Sequence, residues 1–278
     1  AGILLVIYFM IDRRKYERRL SHAIERADQA NKAKSQFLAH MSHEIRTPMN
    51  GIVAAIDILK ESATTEQSRE AIEVMETSSE SLTVIVNDVL DFSRIEAGKL
   101  HLRKEPVSLN GFLRVLERSI LPVTQNKNLS LSFNWPREES LVIETDPVRL
   151  RQVLLNILTN AIKFTEKGGI SLRAGFLDLC EDSVAIEFQV SDTGIGIPRE
   201  KRDMLFRAFS QVDSTMSRQH TGSGLGLVIC KAIADSMGGE ISFESSVGEG
   251  TTFRILIPFK RIQYDELIGS KQSSGVLF

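Results

Sequence analysis

The chain has 278 residues, 42% hydrophobic and 25% charged, which is ordinary globular composition and length enough for two domains. Its 34 Lys and Arg against 36 Asp and Glu leave a formal net charge of -2, which excludes the basic footprint of a nucleic-acid binder. Cys180 and Cys230 lie in apolar stretches without C-x-x-C spacing, and both read as reduced core residues.

The chain opens on AGILLVIYFMI, followed by the basic DRRKYERR. This apolar run is shorter than the roughly 20 residues a bilayer span needs. With positive charge after it, residues 1–11 read as the end of a transmembrane helix whose following segment is cytoplasmic. A short buried helix or a signal-peptide remnant are the alternatives. Residues 12–60 read as one long helix, with Leu20, Ala23, Ala27, Ala30, Phe37, Met41, Ile45 and Ile52 stepping by threes and fours. Lys34 and Pro48 interrupt the seam, and Pro48 is expected to kink the helix. After the polar turn ESATTEQ, a second helix is expected from Thr65 to Ala97. Its apolar line is Ile72, Met75, Leu82, Val86 and Val89, with Ile85 and Leu90 beside it, and Gly98 is placed to cap it. A hairpin of two such helices cannot cover both apolar faces, so a four-helix bundle formed by two copies is the simplest remedy.

The character changes after Pro106. Residues 109–126 read as a helix, LSLSFNW and LVIET as strands, and Pro147–Phe164 as a helix with Asp146 as N-cap and Pro147 at its first position. GISLRAGF and VAIEFQVS read as strands, Ser223–Met237 as a helix, and GGEISFESS with GTTFRILIPF as a closing hairpin. This mixed order predicts an α/β sandwich, so the chain as a whole is α+β: a helical hairpin followed by one sheet backed by helices. The polar tail 261–278 reads as linker.

Five segments carry chemistry. In FLAHMSHEIRTPMNGI, His43 points about 200° away from Met41 at about 100° per residue, so it faces solvent. A neutral imidazole keeps a nucleophilic lone pair, Glu44 can accept the proton of its other nitrogen, and Thr47 stands one turn on along the same face. In DPVRLRQVLLNILTNAIKFT, Asn156 and Asn160 share a helix face with Lys163 nearby; amide oxygens suit Mg2+ and a lysine suits phosphate. In VSDTGIGIP, Asp192 ends a strand and can accept from an exocyclic amine, while Gly194 and Gly196 let the backbone approach a ligand. LFRAFSQVD places Phe206 and Phe209 three apart. In RQHTGSGLGLVICKAIA, Gly222, Gly224 and Gly226 lead through Leu227 into a helix N-terminus, a ready phosphate cradle. Taken singly, each has an ordinary explanation: a solvated helix face, a buried polar pair, a tight turn, a packing pair.

Taken in this order, the segments resemble the H, N, first glycine, F and second glycine boxes of sensor histidine kinases, and GEGTTF is similar to their closing glycine-rich hairpin. The resemblance spans roughly residues 30–260. It implies a Bergerat-type ATP-binding fold, with ATP and Mg2+ as cofactors. It assigns His43 as phosphoacceptor, Glu44 as its acidic partner and Thr47 as the phosphatase-linked position. By the same resemblance Asn160 is the Mg2+ ligand, Asn156 and Lys163 contact phosphate, and Asp192 reads adenine. Gly194, Gly196, Gly222, Gly224, Gly226 and Leu227 complete the nucleotide site. Thr221 departs from the family, where many members have glycine. The implied organisation is a linker coiled coil over 12–34, a dimerisation and phosphotransfer domain over 35–105 and a catalytic ATP-binding domain over 106–260. The implied partners are a second copy and a response-regulator receiver domain. The wording around His43 is similar to that of hybrid kinases, so a receiver after Phe278 and a sensor before Ala1 are expected. An ATP-hydrolysing clamp and an inactive dimerisation scaffold are the rival readings. The hairpin bearing His43 speaks against the first, and the intact Asn156, Asn160, Asp192 and glycine set against the second.

Overall fold

The computed structural model describes residues 45–59, 65–136, 141–180, 182–208 and 224–262. The apolar run 1–11, the segment 12–44 with His43 and Glu44, Phe209, Thr221, Gly222 and the tail from 263 lie outside the described residues. The chain forms two compact units that divide between Ile85 and Val86.

In the first unit, α1 covers residues 45–59 and continues helical through Pro48. The second helix, α2 (Thr65–Glu96), starts in this unit and ends in the other. The inward stripe of α2 is Ala71, Met75, Ser78, Leu82 and Ile85, in steps of four and three. It is rotated from the expected line, because Ala71 rather than Ile72 is buried and Ile72 is 49% exposed. The reason is close approach: a Cβ on Gly51 would stand 2.7 Å from Ser78 Oγ, so small residues sit where the helices meet. The helix closes as expected. Gly98 has φ 64°, Lys99 N–H donates to Arg94 O at 2.8 Å and Gly98 N–H to Ile95 O at 3.0 Å, the paired bonds of a Schellman cap.

The second unit is built on a seven-stranded sheet in the order β1-β3-β7-β5-β4-β2, with β6 also paired to β7. The strands are β1 (Glu105–Ser108), β2 (Ser130–Asn134), β3 (Val142–Thr145), β4 (Gly169–Cys180), β5 (Ser183–Asp192), β6 (Glu240–Ser246) and β7 (Gly250–Arg261). All pairs are antiparallel except β2 with β4. Along β5, Val184, Ile186, Phe188 and Val190 are buried while Glu187, Gln189 and Ser191 on the other face are half-buried, Ala185 being the buried exception there, so one face carries the core. Helices α3 (Leu109–Asn126), α4 (Pro147–Phe164) and α6 (Gly226–Ser236) supply the other half of that core. Leu113, Leu116, Leu150, Leu154, Ile157 and Leu158 are fully buried with Phe188 and Ile186. The opposite face is polar, lined by Ser132, Asn134, Ser171, Arg173, Gln189 and Ser191.

The expected start of α4 is met in detail: Asp146 Oδ1 accepts the N–H groups of Val148 at 3.1 Å and Arg149 at 3.0 Å, and Pro147 needs no donor there. Two elements were not foreseen, the edge strand β1, four residues with Pro106 inside, and the one-turn helix α5 (Arg199–Arg202). Cys230 is buried as expected, its thiol pushed up to about 12 by burial. Cys180 is exposed at the end of β4 instead, because the strand runs on past the core.

Candidate active site

Helix α4 presents two faces. Val153, Leu154, Ile157, Leu158, Ala161 and Ile162 are buried, and the half-buried Asn156, Asn160 and Lys163 lie on the side away from them. Asn160 Nδ2 donates to Asn156 Oδ1 at 3.3 Å, which aligns the two amides and leaves the Asn160 oxygen out of that bond. Lys163 Nζ stands 5.3 Å from the Phe164 ring centroid, holding its charge at the end of the helix.

Helix α6 comes down against this row. A Cβ on Gly226 would collide with the Asn156 amide, so only glycine lets the α6 N-terminus approach here. Cys230, one turn further, donates from Sγ to Val153 O at 3.7 Å. The α6 N-terminus, whose N-cap Leu225 makes no side-chain cap bond, lies beside Asn156, and a helix N-terminus favours an anion. Gly224, before the helix, has φ 66°.

Asp192 ends β5 on the neighbouring strand. Its Oδ1 accepts Gly194 N–H at 2.8 Å and Thr251 N–H at 3.3 Å, so one carboxylate oxygen fixes the side chain in place. Burial raises its pKa above the ordinary carboxylate value, and the two N–H groups oppose that only in part. The loop after it is tied to α4, since Ile195 N–H donates to Phe164 O at 3.3 Å. Asn156, Asn160 and Gly226 thus lie in contact with one another, while Asp192 and Gly194 meet the far end of the same helix at Phe164.

Sequence reasoning missed the brace under the segment that follows. Arg202 donates to Ile197 O at 3.3 Å and to Ser245 O, and Ser245 Oγ accepts Ile197 N–H at 2.8 Å. Phe206 packs on Phe243, centroids 6.0 Å apart, with Lys231 Nζ 6.0 Å from the Phe206 ring. Arg202 stands in a run of charges and Ser245 among serines, and neither carries a signal of its own. Thr47 is exposed on α1. His43, Glu44 and Gly222 lie outside the described residues. Among the described residues no group of three or more His, Cys, Asp or Glu could hold a metal ion.

The site therefore sits on a mixed sheet backed by helices, with Gly226 against Asn156 and Gly194 against the end of α4. Residues 145–261 match the family described as histidine kinase-, DNA gyrase B- and HSP90-like ATPase, and residues 33–98 match the His Kinase A (phospho-acceptor) domain. The chain is 42% identical over 246 residues to the autoinducer 2 sensor kinase/phosphatase LuxQ of Vibrio harveyi, covering 88% of this chain and 28% of that protein. It is 42% identical over 234 residues to the signal transduction histidine-protein kinase BarA of Escherichia coli K12, covering 84% of this chain and 26% of that one. Among solved structures, full-length ShkA in complex with AMPPNP superposes with a TM-score of 0.61 at 33% identity, over 82% of this chain and 46% of that chain. Histidine kinase ThkA in complex with response regulator protein TrrA gives 0.56 at 25% identity, over 80% of this chain and 61% of that chain. The chain belongs to the sensor histidine kinases of two-component systems and comprises their phospho-acceptor and ATPase domains. It spans under a third of the length of the curated relatives it matches.

Proposed function

We propose that this chain transfers the γ-phosphoryl group of ATP to a ring nitrogen of His43, and from there to an aspartate of a response-regulator receiver domain. The observation that carries the reading is the Asn156–Asn160–Gly226 contact with the fixed Asp192 carboxylate, in a chain that also holds a phospho-acceptor domain. Asp192 Oδ2 accepts the adenine amine, Asn156 and Lys163 contact phosphate, and the α6 N-terminus with Gly224, Gly226 and Leu227 cradles the anion, joined by Gly222. The Asn160 amide oxygen fits a hard cation that keeps several waters, which is the preference of Mg2+. Mg2+ held there would offset phosphate charge. The His43 lone pair forms the N–P bond as the bond from the γ-phosphorus to the bridging oxygen breaks and ADP leaves, and Glu44 takes the proton of the other nitrogen. The protein's share is positioning and charge neutralisation.

Incubation with γ-labelled ATP tests this directly. Acid-labile, alkali-stable label on the protein is the expected result. Free phosphate without label would favour the ATP-hydrolysing clamp, and neither product the inactive scaffold.

The working state of this reading is a homodimer. On the helical hairpin Val53, Ile58, Ile72 and Val84 are about half exposed, Val84 by 59%, and covering what remains of each gains roughly 1 kcal/mol, about half the value for burying a whole side chain. A second copy that completes a four-helix bundle offers that cover. The reading also assigns residues 35–105 to dimerisation and phosphotransfer and 106–260 to catalysis. It places the chain on the cytoplasmic side of an inner or plasma membrane, anchored through the helix ending at Ile11, in a protein that also carries a receiver. No helix among the described residues is long and apolar enough to cross a membrane, and residues 1–11 lie outside them.

Thr47 takes the reverse activity in this scheme, its exposed hydroxyl orienting a water toward a receiver's phosphoaspartate. Thr47→Ala is expected to keep autophosphorylation and to slow receiver dephosphorylation about 10²-fold or more, the scale of losing a positioned catalytic group. Phosphatase assays on a purified phosphoreceiver check it. Wild-type dephosphorylation would leave Thr47 a helix-surface residue.

A further inference from the structure

On the helix-facing side of the sheet, three neighbouring strands turn from apolar to polar in a single row. Val184, Ile186, Phe188 and Val190 of β5 lead to Asp192, and Ile241 and Phe243 of β6 lead to Ser245. On β7 the same face begins with Thr251 and goes on as Phe253, Ile255 and Ile257. Strand pairing sets the three polar residues side by side, Asp192 opposite Thr251 and Thr251 opposite Ser245. Thr251 is only 7% exposed, so its hydroxyl has to find a partner inside the protein.

That partner is Ser245. The two hydroxyl oxygens stand 2.9 Å apart, and Ser245 Oγ also donates to Gly250 O at 3.0 Å and accepts Ile197 N–H at 2.8 Å. A serine hydroxyl has one proton to give. Gly250 O is a carbonyl and only accepts, so the Ser245 proton goes there. Ser245 therefore meets Thr251 as an acceptor, and the proton between the two hydroxyls is the one on Thr251. Thr251 Oγ1 is left with lone pairs alone for anything else beside it. On the other side of the row, Thr251 N–H and Gly194 N–H hold Asp192 through Oδ1 at 3.3 and 2.8 Å. The row thus presents two acceptors, Asp192 Oδ2 and Thr251 Oγ1, and no side-chain donor. The two purines differ in what they bring to such a row. Adenine carries an amine at position six, which donates, and guanine carries a carbonyl oxygen there, which meets lone pairs.

We propose that Ser245 is a positioning residue for base specificity, holding the Thr251 hydroxyl as an acceptor beside Asp192 and so turning the site against guanine nucleotides. The inference rests on the reading of Asp192 as acceptor of the adenine amine. Ser245 acts through Thr251: with Ser245 Oγ gone, the Thr251 proton is free to turn toward a guanine oxygen. The test is calorimetry on the full chain with Mg2+ and the non-hydrolysable imido analogues of ATP and GTP. The wild type is expected to prefer the adenine analogue. Ser245→Ala is expected to cut that preference roughly three- to tenfold, the scale of one neutral hydrogen bond. Ser245→Thr, which keeps the hydroxyl, holds it near wild type. Thr251→Val, which removes the acceptor and keeps the shape, cuts it as well, and adding Ser245→Ala in that background cuts it no further. An unchanged preference in Ser245→Ala, whether both nucleotides weaken together or neither does, would make Ser245 a brace for the loop at Ile197 only. A further cut in the Thr251→Val background would mean that Ser245 acts by another route. Either result overturns the proposal. If Ser245→Ala fails to fold, Ser245→Cys, whose thiol has similar shape and bonds weakly, decides by the same ratio. A wild type that binds both analogues alike would sink the reading of Asp192 instead, and this proposal with it.

Discussion

His43→Gln is expected to abolish covalent labelling by γ-labelled ATP while leaving nucleotide affinity and thermal stability near wild type. Glutamine keeps the polarity and helix tolerance of the position but has no nitrogen lone pair free to attack phosphorus. His40→Gln, one turn earlier and without an adjacent acid, is the control and should label normally. Label that survives in His43→Gln would remove His43 as acceptor. Calorimetry with a non-hydrolysable nucleotide shows whether the loss is chemical rather than a failure to bind.

Asp192→Asn should act on the other half of the reaction. The carboxylate is fixed through Oδ1 by Gly194 and Thr251, so the substitution leaves the frame and removes the charged acceptor. A hydrogen bond to a charged group contributes about 1.5–3 kcal/mol, so the dissociation constant for ATP should rise on the order of 10- to 150-fold. Asn160→Asp is expected to impair ATP use by another route, adding charge while disturbing the geometry a hexacoordinate cation demands. An unchanged affinity for Asp192→Asn would count against the adenine assignment. The wild-type site also carries a pH signature. Burial raises the folded-state pKa of Asp192 above its unfolded value. As pH falls through that raised pKa the acceptor is protonated, so ATP affinity should weaken at a pH where an ordinary carboxylate is still ionised. Folding responds with the opposite sign. Between the ordinary and the raised pKa the folded chain binds the extra proton, so this group destabilises the fold as pH rises through that window. Affinity titrations of wild type and Asp192→Asn over the same range separate the two effects, because the asparagine variant should lose this component.

Much of the ATP-binding domain was legible because local chemistry and tertiary need agree there. Asp146 before Pro147 specifies a helix start whatever packs against it, and the apolar alternation of β5 specifies a buried face. The inward stripe of α2 was less legible. A pattern of apolar letters favours Ile72 over Ala71, whereas the closeness of the two helices favours the smaller side chain. The strand β1 is short and contains proline, so it exists only because β3 offers it a partner from Val142 to Thr145. The site divides in the same way. Asp192 and the Gly226 approach to Asn156 belong to compact motifs, and the structure adds the contacts that join those motifs. Arg202 on Ser245 links residues 43 positions apart, and Arg149 on Asp91 spans 58; no spacing rule reports such pairs. His43 and Glu44 rest on sequence alone.

The two thiols of the chain differ enough in environment to be told apart by a reagent. Cys230 is sealed in the core with its ionisation pushed up to about 12 by burial. Cys180 is exposed where β4 ends, and its hydrogen bond with Ser183, at 2.8 Å, is the leading cause that lowers its pKa. A maleimide or other thiolate-selective probe should thus attach at one place on the native sequence, with no cysteine removed beforehand. That place is the end of the β4–β5 hairpin, on strands whose other ends lead to Gly169 and Asp192. A fluorophore there gives this protein a built-in attachment point for following domain motion by energy transfer or anisotropy.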